Sequence, residues 1–499
     1  MSGKISDYEN TYLSGNLEED IALFKEIFKK DAILRVKRIT RSEENPLKCA
    51  LIYMDGMVDT EQVNDAIIRP VLTVAPIKMT DSVAEYLETE VLFARDVKRI
   101  RNVAKILEGI LYGEALLLID KSPEAITADV KGWRTRGISE PEDERILQGP
   151  REGFEEAALL NIAMLRRRLQ TPDLCTEMLR LGRRTNTIVF ICYLDTLTDA
   201  KMLDDIKKRI KKIDIDGIID SNYITEQIKD YRYSPFKTTG STERPDIVAA
   251  RLLEGRIAII VDGSPVVVTI PYLFSENFQS DEDYYINFLV SNVGRIIRYI
   301  CFMLAISLPA IFIAVSVFHR ELLPTSLAIA VSELRAGVPF SPLTECLILI
   351  FIFEVLRETG IRMPQSLGHA LSIVGGLVVG QAAVDSRIIS APILIIIALS
   401  GISGLMVPRL KGAVFYLRIV LVLLSSFLGL YGYMAGISVI LMHILSLNSF
   451  GTDYTVSLRR INYESLKDTI IRAPWNSMKT RPLFNRNKIR MEEAKKCRK

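Results

Sequence analysis

The sequence is poor in the residues that catalysis and metal binding use most often. Histidine occurs only three times in 499 residues, as His319, His369 and His443, all in the second half of the chain. The six cysteines are scattered, with no CxxC pair and no neighbouring histidine, so they indicate neither a disulfide framework nor a zinc site. No P-loop, G-x-G-x-x-G loop or H-E-x-x-H motif is present. We therefore expect no enzyme activity, no catalytic residue, no cofactor and no bound metal.

Charge is also missing from one long part of the chain. Charged residues make up 25% of the sequence, which is typical of globular proteins, but they crowd into residues 1–295 and 457–499. The first 20 residues lack the apolar segment of a secretory signal peptide. This distribution predicts a soluble cytoplasmic region, then an integral membrane region. The tail from residue 459 carries thirteen Lys and Arg against four acidic residues, so it is expected to be cytoplasmic and close to anionic lipid headgroups.

The soluble region contains an internal repeat. Residues 47–130 and 188–270 share two motifs in the same order, at sequence offsets of 140 and 142. The motif pairs are Ile52-Tyr53-Met54-Asp55 with Cys192-Tyr193-Leu194-Asp195, and Asp120-Lys121-Ser122-Pro123 with Asp262-Gly263-Ser264-Pro265. Each copy reads as a buried strand ending in Tyr-x-Asp, followed by helical sequence and a hairpin. The aspartates fit strand-end and turn positions, with ligand or metal binding as the alternative.

A short basic run lies between the two copies. The helix predicted after residues 149–156 ends in Arg166-Arg167-Arg168. Because Glu152, Glu155 and Glu156 balance this run and it is short, it predicts a solvated or interdomain face, and nucleic-acid binding is not expected.

The apolar region divides into several candidate spans. Residues 296–318 and 388–407 are each long enough to cross a bilayer, and residues 413–447 are too long for one crossing, so we expect two spans broken near Gly429, Gly432 and Gly436. Two shorter runs, 343–356 and 370–384, lie between them. With both termini cytoplasmic the number of spans is even: six if both short runs cross, four if they form a re-entrant pair.

Residues 343–384 keep charge beside these short apolar runs. Glu354 and Arg357 are three apart and can pair on one helix face, with Glu358 one turn beyond, which predicts an ion-pair cluster at the membrane boundary. Glu345 lies about 180° around the same helix with no partner within one turn. It is a candidate cation-attracting or gate-coupled carboxylate, the alternative being an interfacial acid at a helix end.

Small residues follow in the second short run. At helical spacing, Ser372, Gly376, Gly380, Ala383 and Arg387 fall on one face. Such a stripe allows close helix packing; alternatively it lines a pore, with Gln381 or Ser372 turned to water. The candidate pore or gate residues are therefore Glu345, Ser372, Gly376, Gly380, Gln381 and Ala383.

Ordered motifs along the chain carry a family resemblance. They are Thr242-Glu243-Arg244-Pro245-Asp246, Asp281-Glu282-Asp283-Tyr284-Tyr285, the runs 353–364 and 372–384, and Ser449-Phe450-Gly451. In these motifs the chain resembles the A subunits of bacterial spore germinant receptors, the GerA family, from about residue 40 to residue 481. The fold expected is a duplicated α/β soluble region of two related subdomains, followed by an all-α polytopic membrane domain with four to six membrane helices and possible re-entrant segments. The expected boundaries are an N-terminal extension 1–30, subdomains 31–145 and 146–285, a transmembrane domain 286–450 and a basic cytoplasmic tail 451–499.

The resemblance also implies a cellular setting. It implies a multi-pass protein of the spore inner membrane, with its N-terminal domain and tail on the spore core side, acting with a permease-like B subunit and a lipoprotein C subunit. In that family the receptor senses nutrients and starts germination, and A subunits are thought to form an oligomeric nutrient-gated cation channel. A coupled secondary transporter and a non-conducting scaffold that signals to another channel are the alternatives. The transporter is less favoured, since the membrane region shows no inverted repeat.

Overall fold

The computed structural model describes residues 5–40, 47–73, 83–132, 144, 148–362, 378, 380–455 and 467–481. Within these ranges, a mixed α/β part built on two large sheets precedes a part built of long helices. This order agrees with the coarse fold class expected from the sequence.

The first sheet has five antiparallel strands in the spatial order β1-β2-β4-β5-β3. They are β1 Leu34–Thr40, β2 Lys48–Met54, β3 Val97–Ile100, β4 Glu114–Ile119 and β5 Ala125–Asp129. The β4–β5 connection is the predicted hairpin turn, in which Lys121 adopts a φ of 60°.

The second sheet repeats this arrangement in the order β6-β7-β9-β10-β8. Its strands are β6 Leu174–Leu181, β7 Thr187–Leu194, β8 Gly240–Thr242, β9 Ile257–Val261 and β10 Val267–Ile270. Leu51 pairs with Leu117 in the first sheet and Ile191 pairs with Ile259 in the second. These pairs are equivalent after the offsets of 140 and 142. The predicted repeat is therefore reproduced in both strand order and register.

Helices lie between the two sheets and also on their outer faces. Alternate side chains of a strand point to opposite faces, so Ile52 of β2 and Cys192 of β7 belong to one shared core, while their neighbours Leu51 and Ile191 pack in two separate outer cores. The α-helices of this part are α1 Leu17–Ile27, α2 Thr60–Gln62, α3 Arg69–Thr73, α4 Val83–Tyr86, α5 Val103–Leu111, α6 Ala158–Arg168, α7 Ala200–Lys211, α8 Ser221–Ile228 and α9 Pro245–Leu253. The shared core takes side chains from α1, α5, α6 and α9. Helix α1 thus packs in this core, although the sequence set residues 1–30 apart as an extension.

The aspartates of the repeat have capping and ion-pair contacts. Asp55 pairs with Arg35, and Asp195 pairs with Lys30. The carboxylate of Asp262 accepts a hydrogen bond from the backbone N–H of Ala158 at 3.0 Å, at the start of α6. These contacts fit the predicted strand-end and turn roles.

The arginine run at the end of α6 is used inside the protein. Arg166 is fully buried and donates to the carbonyl oxygens of Thr171 and Leu174 and to the carboxylate of Asp31. The two arginines that follow it both pair with Glu152. The sequence predicted either a solvated or an interdomain face for this run. Arg166 has the interdomain role, because it lies in α6, before the second sheet, and binds Asp31, before the first sheet.

The helical part contains α10 Phe288–Ile313, α11 Thr325–Arg335, α12 Pro342–Arg362, α13 Ala391–Leu405 and α14 Lys411–Ser446. Helix α10 continues through a π-helical turn, Ala314–Phe318. By length and composition, two described segments could cross a membrane, Phe288–Phe318 and Pro408–Ser446. The short run 343–356 differs from expectation, because its helix extends through the charged residues that follow it to a length of 21 residues.

Helix α14 reverses direction at Gly429, which has φ of 61° and ψ of −139°. A Cβ atom added at Gly436 would lie 2.7 Å from the side chain of Leu421, whereas residues 15 apart in a straight helix are separated by about 22 Å. The segment is therefore a hairpin with a first arm, residues 411–428, and a second arm, residues 430–446. The break predicted near Gly429 is confirmed.

Three parts of the helical region contact the α/β part. Arg409, before the first arm, donates to the carbonyl oxygen of Glu276 at 3.1 Å. At the end of the second arm, the carbonyl oxygen of Ser446 accepts a hydrogen bond from the hydroxyl of Tyr231. The third part is the start of α10, where Arg295 donates to Asp283, which precedes the helix. These three chain positions therefore lie at the same end of the helical part.

An ion-pair cluster fixes the start of α10. Asp283, 3% exposed, accepts from Arg295 at 2.9 Å and from Arg298 at 2.6 Å. Arg295 also donates to Asp468, which follows α14 in the sequence. Burial and the charge of Asp468 raise the pKa of Tyr284 well above its ordinary value, so its hydroxyl stays protonated and donates to Asp468. The cluster ties the α/β part, α10 and the C-terminal residues together.

Candidate functional site

Glu345 lies in a buried joint where the starts of α12 and α13 meet. Its side chain is 0% exposed. One carboxylate oxygen accepts from the backbone N–H of Ser390 at 2.8 Å and from its hydroxyl at 2.6 Å. The other accepts from the guanidinium of Arg335, at the end of α11, at 3.3 Å. One side chain thus connects three helices.

The local backbone explains why a carboxylate is favoured here. Glu345 occupies the first turn of α12, and Ser390 is the N-cap of α13, whose second residue is Pro392. Helix N-termini carry partial positive charge and favour anions. Two helix starts and the Arg335 guanidinium therefore surround the Glu345 carboxylate with positive potential.

This geometry bears on the roles considered for Glu345, which are a cation-attracting carboxylate, a gate-coupled carboxylate and an interfacial acid at a helix end. Glu345 has no partner on its own helix within one turn. Both of its carboxylate oxygens instead accept hydrogen bonds, one from Arg335 of α11 and the other from Ser390 at the start of α13. A carboxylate with such partners and no exposed surface is poorly placed to attract ions from water. Its place in the first turn of α12 is that of an acid at a helix end, and its contacts join the start of α12 to the start of α13.

The remaining pore candidates lie partly within the described residues. Ser372 and Gly376 are outside them. Gly380 is buried, and a Cβ atom added there would lie 3.5 Å from Leu394 of α13. Gln381 is exposed and Ala383 is half-buried. The structure thus places Gly380 against α13 and turns Gln381 away from the protein.

Arg387 does not continue the predicted stripe. The helical stretch containing Gly380 ends at residue 385, and Arg387 lies in the turn that follows, with φ of 55°. The expectation that Arg387 shares a helix face with Gly380 and Ala383 is therefore wrong, because the helix stops before reaching it.

The predicted ion-pair cluster forms in part on α12. The guanidinium of Arg357 donates to the carboxylate of Glu354, and both side chains are largely buried. Glu358 lies one turn beyond Glu354 on the same helix. The i,i+3 pairing expected from the sequence is confirmed.

A second polar contact, not expected from the sequence, centres on Arg418 in the first arm of α14. Pro309 of α10 has no N–H, so the carbonyl oxygen of Ala305 lacks its helical donor. This oxygen accepts from the hydroxyl of Ser400 at 2.9 Å and from Nε of Arg418 at 2.8 Å. Arg418, 4% exposed, also donates to the carbonyl oxygen of Ser400 at 3.2 Å. Two features of the sequence could have indicated this contact. Arg418 is an isolated arginine in the apolar run 413–447, and Pro309 lies in the apolar run 296–318.

These contacts define what the helical part can do. In the described residues, no group of three or more His, Cys, Asp or Glu is arranged to hold a metal. The buried charges serve contacts between helices, at Glu345 and at Arg418. Such contacts fix the register in which the helices pack.

Comparison with known proteins gives long matches. The family model described as Bacillus/Clostridium GerA spore germination protein matches residues 22–484. Spore germination protein KA of Bacillus subtilis (strain 168) is 37% identical over 94% of this chain and 87% of its own length. The uncharacterized membrane protein YfkQ of the same organism is 40% identical over 87% of this chain and 84% of its own length.

A solved structure also matches the first part of the chain. It is the crystal structure of the N-terminal domain of the A subunit of the Bacillus megaterium spore germinant receptor GerK3. The identity is 30%, the TM-score is 0.41, and the match covers 53% of this chain and 98% of that one.

Proposed function

Since the chain belongs to the Bacillus/Clostridium GerA spore germination protein family, we propose that it is the A subunit of a nutrient germinant receptor and that its helical part forms an oligomeric, nutrient-gated cation channel. The receptor would lie in the spore inner membrane and include a permease-like B subunit and a lipoprotein C subunit. The observation that carries the channel proposal is the buried Glu345 joint, with charge retained between apolar helices. Charge kept in such surroundings is typical of channels and transporters.

The proposed topology has six crossings, with both termini on the spore core side. It is supported by the contacts of Arg409 and Ser446 with the α/β part, which bring both ends of the α14 hairpin next to that part. Glu345 contacts Ser390, and a Cβ atom at Gly401 would meet the ring of Phe353. Helices α12 and α13 therefore run parallel, so the end of α12 and the start of α13 lie at opposite ends of the pair. This favours the arrangement in which both short apolar runs cross.

The proposed gate is the contact of residues 380–385 with α13, held by the Glu345 joint. Gly380 faces Leu394 with room for a methyl group and little more, because 3.5 Å is an ordinary van der Waals contact. A larger side chain there would push the two segments apart. In an ion channel, that movement changes the open fraction.

Cation flux from vesicles tests the proposal. The chain is reconstituted with its B and C subunits in potassium-loaded vesicles, and efflux is measured with and without nutrient. Gly380→Leu is expected to change nutrient-dependent efflux at normal assembly, through constant leak or loss of response. The matched controls are Gly380→Ala, which fits the space, and Val378→Leu, which adds bulk at an exposed position; both should behave as wild type.

Other outcomes separate the competing functions. Efflux that requires a counter-transported solute would indicate a coupled transporter. Nutrient-dependent germination in cells without any flux from the reconstituted complex would indicate a signalling scaffold. Unchanged flux in Gly380→Leu would remove this contact from the gate.

A further inference from the structure

Residues 467–477 pack against the first turns of α10. The side chain of Asn292 donates to the carbonyl oxygen of Arg472 at 3.2 Å and accepts from its backbone N–H at 2.6 Å. The guanidinium of Arg472, 3% exposed, donates to the carbonyl oxygens of Asp283 and Ile286. With Asp468 bound to Arg295, the segment is fixed at both of these residues.

On a surface that faces water, charged side chains are normally exposed and large apolar ones buried; residues 467–477 show the opposite at several positions. The charged Arg472 is buried, while Ile470, Ile471 and Trp475 are 43%, 54% and 48% exposed. Scattered exposed apolar residues are ordinary, but a contiguous apolar patch marks an interaction site. The buried residues of the segment, Thr469 and Arg472, are polar, and the exposed ones include three large apolar side chains beside the polar Asn476 and Ser477. Polar side chains held inward with large apolar ones outward are typical of a segment at a lipid surface.

The neighbouring face of α10 extends this apolar surface. Leu289, Val293, Ile296 and Ile300 recur at intervals of four, three and four residues, so they share one helix face, and all are exposed. Asn292, which holds the C-terminal segment, borders this face. The segment Phe288–Phe318 has 31 residues, whereas about 20 suffice to span the hydrocarbon. The first turns of α10 are thus expected at the membrane surface, where the C-terminal segment lies against them.

We propose that residues 467–477 form an interfacial membrane anchor, whose partner is the lipid of the leaflet on the α/β side. Ile470 and Ile471 enter the boundary between headgroups and acyl chains. Trp475 lies at headgroup level, where amphipathic rings are favoured. The exposed Lys479 follows towards the anionic lipid phosphates. The inference rests on the membrane location in the proposed function and adds a point at which the leaflet contacts the Asp283 cluster.

Trp475 itself reports on the anchor. The chain has two tryptophans, Trp133 and Trp475, so Trp133→Phe leaves Trp475 as the single fluorophore. The full-length variant is reconstituted in phosphatidylcholine–phosphatidylglycerol vesicles, with either ordinary or brominated phosphatidylcholine. The expected result is a blue-shifted emission that brominated lipid quenches, and that iodide on both sides of the membrane quenches little.

A matched variant keeps the fluorophore and removes the apolar anchor. In Trp133→Phe with Ile470→Ser and Ile471→Ser, quenching by brominated lipid should fall, emission should shift to longer wavelength and iodide quenching should rise. Quenching by iodide but not by brominated lipid in the parent variant would overturn the proposal, since Trp475 would face water. Insensitivity to both quenchers would also overturn it, because protein would then cover the segment.

A separate measurement distinguishes failure of the anchor from failure of the membrane location. Alkaline carbonate releases peripheral proteins from vesicles and leaves integral ones. If the parent variant is extracted, the proposed membrane location fails and the anchor fails with it. If it is retained but brominated lipid does not quench Trp475, only the anchor is wrong.

Discussion

The carboxylate of Glu345 is expected to stabilise the helical part, and Glu345→Gln measures by how much. The wild-type side chain accepts three hydrogen bonds, two from Ser390 and one from Arg335. Glutamine keeps one acceptor oxygen but turns an NH2 group towards donors. Either the Arg335 guanidinium or the Ser390 donors then lose their acceptor.

The magnitude follows from the burial of this group. Removing one partner of a buried ion pair costs about 3 to 5 kcal/mol. Arg335 is 18% exposed and can recover part of its hydration, so the lower end applies, about 3 kcal/mol. For a cooperative unit of 150 to 250 residues, about the size of the helical part, each kcal/mol lowers Tm by about 2 to 4 °C. The expected decrease is therefore about 6 to 12 °C.

Thermal loss of the monodisperse peak in detergent, followed by size-exclusion chromatography, measures this change. Glu333→Gln is the matched control, because Glu333 lies in α11 near Arg335 and is exposed. Its Tm should stay within about 2 °C of wild type, since exposed substitutions seldom exceed about 0.5 kcal/mol. Equal Tm values for the two variants would refute the buried joint and the gate-coupled role built on it.

Three further predictions concern other parts of the protein. Burial raises the pKa of the Cys192 thiol from its ordinary 9.0 to about 12, so Cys192 in the native protein at pH 8 should resist iodoacetamide until denaturation, whereas the partly exposed Cys301 should not. Stability should fall as pH rises above about 9, because the thiol ionises first in the unfolded state. Rapid labelling of Cys192 in the native protein, located by peptide mass mapping, would contradict this. Asp283→Asn removes the negative charge that pairs with the buried Arg295 and the largely buried Arg298, so it should lower the free energy of unfolding by about 3 to 5 kcal/mol, whereas Asp204→Asn at an exposed position should leave it unchanged. Gly429→Ala should destabilise the hairpin by about 1 to 3 kcal/mol, because alanine rarely adopts the φ and ψ of this residue. Gly412→Ala is the control and should leave the Tm unchanged, since a Cβ atom there meets nothing within 4 Å. Equal Tm values for the two variants would argue against the reversal at Gly429.

The features predicted correctly are those that neighbouring residues determine. The hairpin turns, the break at Gly429 and the Glu354–Arg357 pair each depend on residues a few positions apart. The repeat was also visible, because two copies of one pattern can be aligned with each other without a structure.

The features that were missed depend on residues far apart in the sequence. The partners of Glu345 come from positions 335 and 390, and no local rule joins a helix start to the N-cap of another helix. The Arg418 contact needs a carbonyl oxygen released by a proline more than 100 residues earlier. The end of the helix before Arg387 depends on the turn that leads into α13, which periodicity alone does not reveal.

The shared core between the two sheets has a consequence for how the two copies of the repeat fold. Ile52 from one copy and Cys192 from the other lie in the same buried cluster, so a lone copy would present that inner face to water. A single copy with this arrangement would need a twin to cover that face, as in a symmetric homodimer. Because both copies belong to one chain, a covalent link takes the place of such a concentration-dependent association, and each half depends on the other to fold.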